Sequence, residues 1–115
     1  MNLPQRGIQL MIVVETLAFT RRVIALMSDD EYTAMQWFLR FKPDAGDIIR
    51  RTGGARKVRW RKKGQGKRGG LRVIYFHHAK KDTLWMLALY EKKEKENLSE
   101  SDKEIIKQLI QEITK

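Results

Sequence analysis

The sequence predicts an α+β domain: an antiparallel sheet of about four strands, preceded by a helical hairpin and followed by a C-terminal helix. Three observations carry this expectation. Helical apolar stripes fill the stretch between Thr16 and Pro43, strand-like segments crowd between Arg56 and Tyr90, and a capped amphipathic stretch begins at Ser99. The order β-α-α-β-β-β-α gathers most strands after the hairpin, so the helices are expected on one face of the sheet.

Ile8 to Val14 is rich in branched apolar residues and reads as the first strand. Thr16 offers an N-cap, and Phe19, Val23 and Leu26 or Met27 supply the stripe of a first helix. Ser28 with Glu31 forms a capping box opening a second helix, whose Tyr32, Met35, Phe38 and Leu39 share a side before Pro43 ends it. Asp44 to Gly54 has no periodicity and reads as a loop. Arg56 to Trp60 alternates, setting Lys57 and Arg59 on one face and Arg56, Val58 and Trp60 on the other. A basic, Gly-rich loop from Arg61 to Gly70 returns the chain into a strand from Leu71 to His78. Thr83 to Tyr90 follows, and its unbroken apolar run suits an interior strand covered on both faces. Ser99 and Asp102 cap the last helix, in which Ile105, Ile106, Leu109, Ile110 and Ile113 form a core stripe. Trp37, Trp60, Trp85 and the phenylalanines fall at spacings that suit packing.

The net charge of +10 over 115 residues is concentrated in one place. Between positions 56 and 72 stand Arg56, Lys57, Arg59, Arg61, Lys62, Lys63, Lys67, Arg68 and Arg72, without one Asp or Glu. Such self-repulsion has no structural purpose, and it is the footprint of a polyanion partner, most often nucleic acid. The absence of cysteine excludes disulfides, thiolate metal sites and cysteine nucleophiles, and suits a reducing cytoplasm. The apolar run Leu10 to Val14 is too short for a membrane span or a signal peptide. The glycines at 64, 66, 69 and 70 argue against an interfacial membrane helix. Gly64-Gln65-Gly66-Lys67 does not complete a nucleotide-binding P-loop, because Arg61 and Arg68 stand where a glycine and a Ser or Thr are needed. His77 and His78 are adjacent on a strand, point to opposite faces and cannot share a metal. Tyr90, at the end of an apolar strand, is read equally as a core or a site residue.

Several blocks, in order, carry a resemblance. Gly46-Asp47-Ile48-Ile49, then Thr52-Gly53-Gly54-Ala55-Arg56-Lys57-Val58-Arg59-Trp60, then Gly66 to Tyr75, and finally Leu89-Tyr90 with Lys92 and Glu94 to Leu98, resemble the HigB-type branch of the RelE/ParE toxin superfamily. The resemblance runs from about Ile12 into the final helix. It implies one RelE-like domain over residues 1–115, with 1–10 as an N-terminal extension ahead of Met11. The fold it implies is a twisted antiparallel sheet with a helical hairpin on one side and a mobile C-terminal helix. It further implies the cytoplasmic toxin of a type II toxin-antitoxin pair, an endoribonuclease that cuts translated mRNA on the ribosome without a cofactor. The implied partners are a HigA-like helix-turn-helix antitoxin, through which alone operator DNA is contacted, the ribosome and mRNA.

Metal-free RNA cleavage needs a base for the 2′-hydroxyl, cations for the phosphorane and an acid for the 5′ oxygen. In a cluster of like charges each ammonium weakens its neighbours' hold on their protons, and Lys57 is the expected base. Lys57 and Arg59 lie about 6.6 Å apart along one strand face, a span that fits one phosphate. Arg72 matches the family's phosphate-stabilising arginine, and its fork suits two oxygens. Tyr90, Lys92 and Lys93 complete the candidate catalytic set: Lys92 and Lys93, with Lys95, as leaving-group acid or further phosphate contacts, and Tyr90 as the candidate base or stacking tyrosine. Arg56, Arg61, Lys62, Lys63, Lys67, Arg68 and Lys95 are the candidate RNA and ribosome contacts. Glu91 and Lys93 depart from the branch, which more often has a small residue and an asparagine there, and no aromatic residue follows Leu98. Two other functions stand beside it: a ParE-like gyrase inhibitor without catalysis, which keeps the fold but has no need of converging phosphate-holding groups, and a non-catalytic RNA-binding module. As an exposed cation, Arg72 is expected to contribute little to stability.

Overall fold

The computed structural model describes residues 11–61 and 70–115. Strand β1 (Ile12–Glu15) leads into helices α1 (Leu17–Leu26) and α2 (Asp29–Phe41). There follow β2 (Asp47–Ile48), β3 (Arg56–Arg61), β4 (Gly70–His78), a 3₁₀ turn (Ala79–Lys81), β5 (Thr83–Glu91) and α3 (Glu100–Ile113). The caps form as the sequence predicts. Thr16 accepts from the Phe19 amide, and Ser28–Glu31 and Ser99–Asp102 both close as reciprocal capping boxes.

The sheet has five strands in the order β1-β5-β4-β3-β2. It is mixed, because β1 runs parallel to β5 while the other pairs are antiparallel. The fifth strand is β2, a two-residue edge pairing Asp47 with Lys57 and Ile48 with Arg56. It is too short to leave a periodic signal in the stretch the sequence marks as loop. The first strand begins at Ile12; the Ile8 to Leu10 part of its expected range lies outside the described residues.

The helices cover both faces, which corrects the expectation of a one-sided arrangement. On one face Phe19, Val23, Met27, Met35 and Leu39 of the hairpin pack against Leu71, Val73, Tyr75, Leu84, Met86 and Leu89. On the other, Ile106 and Ile110 of α3 pack against Ile74, Leu87 and Tyr90. The alternation of β4 explains why both are needed: odd positions are apolar toward the hairpin, and Ile74 and Phe76 are apolar toward α3. A bulge in β5 shifts its register, so that Ile74 faces Ala88 while Tyr75 faces Met86. The Leu87 carbonyl at this irregularity accepts from the Thr16 hydroxyl at 2.9 Å, tying α1 to the centre of the sheet.

Trp60 and Trp85 pack as expected, against the first and second core respectively. Trp37 and Phe41 do not. They stand exposed on α2, with Arg40 stacked 5.0 Å from the Trp37 ring, because the hairpin core is already filled by Met35 and Leu39. Ile105 likewise points outward, one position off the α3 stripe.

Tyr75 holds the chain entering β2. Its hydroxyl accepts from the Gly46 amide at 2.9 Å and donates to the Pro43 carbonyl at 2.7 Å. Burial raises its pKa, so the hydroxyl keeps the proton it donates. Tyr75→Phe removes both bonds and leaves the buried Gly46 amide unpaired, a loss of about 1–3 kcal/mol. Chemical denaturation should show it as a lower midpoint at unchanged slope.

Candidate functional site: a cationic row closed by the β5–α3 connection

The register of β3, β4 and β5 builds the site. Arg59 pairs with Arg72, and Arg72 with Tyr90, so these three side chains form one row across three strands. Lys57 occupies the neighbouring row, opposite Ile74. Since paired residues project to the same face, Lys57, Arg59, Arg72 and Tyr90 all belong to the face that α3 covers. The strands are about 4.8 Å apart, so the row spans about 10 Å.

Arg72 is only 3% exposed, which corrects the expectation of a surface cation. It is a permanent charge held inside the protein. Its partner is the Glu96 carboxylate at 3.6 Å, and its Nε has no hydrogen-bond partner among the described residues. Gly70 makes room for it: a Cβ there would meet the Arg72 guanidinium at 3.0 Å. Beside it Tyr90 is equally buried, and its hydroxyl also lacks a partner among the described residues. Burial raises the Tyr90 pKa and the Arg72 charge opposes that rise, so the phenol keeps its proton at neutral pH. A buried cation and a buried hydroxyl, side by side and incompletely paired, constitute a place where an anion is stabilised.

The chain between β5 and α3 lies over this face. The Lys95 ammonium sits 5.1 Å from the centre of the Tyr90 ring and pairs with Asp102 at 3.1 Å. That hydrogen bond, with the capping amide of Ser99, holds the Asp102 carboxyl below its usual range. Glu96 meets Arg72, and Asn97 Oδ1 accepts from Lys57 Nζ at 3.1 Å. Glu94 pairs with Arg22, whose Nε also donates to the Leu89 carbonyl, and this anchors the start of the connection to α1.

The remaining candidate residues are dispersed. Lys92 and Lys93 are exposed in the turn after β5, with Lys93 paired to Glu91 at 3.6 Å. Arg56 donates to the Asp44 and Gly46 carbonyls, on the loop that Tyr75 also holds. Arg61 is exposed at the end of β3, opposite Gly70. Lys62, Lys63, Lys67 and Arg68 lie outside the described residues. His78 stacks on Phe76 with ring centroids 6.0 Å apart; the partly buried His77 has its pKa lowered, first by that burial. Glu96 and Asn97 were given no role by sequence reasoning. Their signal was positional: a segment leaving the end of β5 for a helix packed on the same face must cross the row.

Glu96→Gln removes the anion that Arg72 holds in the unliganded chain. It is expected to raise affinity for a short polyanion about three- to tenfold at low salt, read by fluorescence anisotropy with a labelled oligonucleotide as probe.

A sheet face whose cationic row is closed over by the segment leading into a C-terminal helix, with a helical hairpin behind it, defines a specific class of small α+β protein. Residues 22–115 match the family model described as RelE toxin of the RelE / RelB toxin-antitoxin system. The chain belongs to this family of toxins. The fold agrees with solved structures. A double mutant of the E. coli toxin RelE in the free state is similar at a TM-score of 0.57 and 13% identity, over 76% of this chain and 90% of that one. The intact E. coli RelBE toxin-antitoxin complex contains a chain similar at a TM-score of 0.53 and 13% identity, over 69% of this chain and 93% of that one.

Proposed function

We propose that this toxin is an endoribonuclease that cuts mRNA on the ribosome and is held inactive by a protein antitoxin. The observation that carries the reading is the row Arg59–Arg72–Tyr90 with Lys57 beside it, in which Arg72 Nε and the Tyr90 hydroxyl are buried without partners among the described residues. A scissile phosphate on this face meets Arg59 and the Arg72 fork, which carry the charge that grows in the phosphorane. Lys57 is the group placed to take the proton of the adjacent 2′-hydroxyl. The new O2′–P bond forms as the P–O5′ bond breaks, leaving a 2′,3′-cyclic phosphate on one fragment. Lys92, Lys93 or the Tyr90 phenol returns a proton to the 5′ oxygen, giving a 5′-hydroxyl on the other. Nothing in this sequence calls on a metal ion or an organic cofactor.

The site as folded is closed, since Glu96 stands on Arg72 and Lys95 on Tyr90. RNA entry therefore requires the Glu96 and Lys95 side chains to leave the row, and a protein that holds them down keeps the toxin silent. Family membership and the RelBE complex support an antitoxin as that protein, and the HigB-type resemblance points to one with a helix-turn-helix domain. No described helix is long and apolar enough to cross a membrane, and the reading places toxin and ribosome together in the cytoplasm.

Primer extension on messages in a translating extract tests the reading. Codon-linked cuts with 5′-hydroxyl ends are expected. Growth arrest with intact messages overturns it in favour of a non-catalytic, gyrase-directed toxin.

A further inference from the structure

Beside Lys57, the β2–β3 edge and the entry to α3 enclose a cleft of about 340 Å³, bordered by Asp47, Ile48, Lys57, Asn97, Leu98 and Lys103. The proposed chemistry uses only Lys57 of these. The volume lies at the lower end of small-molecule sites, roughly 300–1,000 Å³, and so has room for one nucleoside.

The lining has the polarity of a base-reading site. A lysine ammonium carries only donors, so the bond from Lys57 to Asn97 turns the carboxamide oxygen inward to the lysine and the Nδ2 donors away from it. Nδ2 has no acceptor among the described residues. Asp47, the Cα partner of Lys57 across the β2–β3 ladder, brings an exposed carboxylate to the same cleft as an acceptor. Ile49, packed against the α3-side core, and Leu98 give it apolar walls. The Lys103 ammonium is held in place by Glu100 at 3.2 Å. Donors, an acceptor, apolar walls and a fixed cation match a flat ring with a polar edge and an attached phosphate. The cleft is also contiguous with the proposed reaction centre, because Lys57 belongs to both.

We propose that this cleft is a nucleotide-recognition subsite: Asn97 and Asp47 read the edge of one RNA base adjoining the scissile phosphate, and Lys103 holds the next phosphate. The proposal rests on the nuclease reading above. Asn97 thereby does two things, reading the base through Nδ2 and positioning Lys57 through Oδ1.

The test uses the full chain in a translating extract supplied with messages randomised at one codon, with the 5′ ends of the fragments sequenced. The wild type is expected to prefer particular bases at one position relative to the cut. Asp47→Asn, which turns an acceptor into a mixed donor and acceptor at an exposed position, is expected to change the preferred base there by about tenfold in relative cutting. Lys103→Gln is expected to raise the concentration needed for half-maximal cutting severalfold while the preferred base stays the same. Thermal melts of both variants establish that they fold. Cuts whose base profile is flat in the wild type, or identical in Asp47→Asn, overturn the subsite and leave the nuclease standing. No cuts by the wild type overturn both.

Discussion

Arg72→Ala is expected to abolish message cutting and also to lower the thermal midpoint by roughly 10 °C, the shift that about 2 kcal/mol produces in a domain of this size. The second effect follows from burial. The guanidinium stem lies inside the α3-facing layer at 3% exposure, so truncation leaves a cavity and strips Glu96 of its partner. Loss of activity in the alanine variant is therefore ambiguous by itself. Arg72→Lys separates the two roles, because it keeps a charge and most of the volume but loses the planar fork. We expect Arg72→Lys to fold and still to cut about 10²–10³-fold more slowly. A lysine variant that cuts at the wild-type rate shows that Arg72 supplies bulk and charge, not bidentate phosphate binding.

Lys57→Met is expected to reduce cutting about 10²–10⁴-fold, the usual contribution of a positioned base, while the unfolding free energy moves by less than about 0.5 kcal/mol. Lys57 is partly exposed on β3, and among the described residues its side chain makes one hydrogen bond, to Asn97, which water replaces. Lys57→Arg is the informative companion. Arginine holds a phosphate but does not give up its proton in a protein, so a base fails in that variant where a phosphate ligand survives. Single-turnover cleavage of ribosome-bound message distinguishes them: full rate in Lys57→Arg moves the base elsewhere in the row.

The elements of this fold were legible because their signals are local. Thr16, Ser28 and Ser99 cap helices through groups one turn away, and the Lys57/Arg59 alternation is set by the two-residue repeat of a strand. What escaped depends on distant partners. The strand β2 is two residues long and exists only because β3 lies beside it. The second helical layer was implicit in the apolar run Leu84 to Leu89, which needs cover on both sides, yet the order of elements alone pointed to one face. Trp37 has the spacing of a core residue and is exposed because Met35 and Leu39 occupy the available volume first.

The site divides the same way. Sequence by itself determined where the positive charge is concentrated, that Lys57 and Arg59 share a strand face, and that the chain resembles the RelE/ParE toxins. Only the tertiary structure decided that Arg72 is buried, that it lies in register between Arg59 and Tyr90, and that Glu96 and Asn97 come down on the row. The physical reason is range. Charge density and side-chain alternation are properties of neighbouring residues, whereas burial and pairing arise when β4 is enclosed by β3, β5 and the connection to α3. The carboxylate-free stretch from Arg56 to Arg72 is free of acid in sequence but not in space, because the fold brings Glu96 to the residue that ends it.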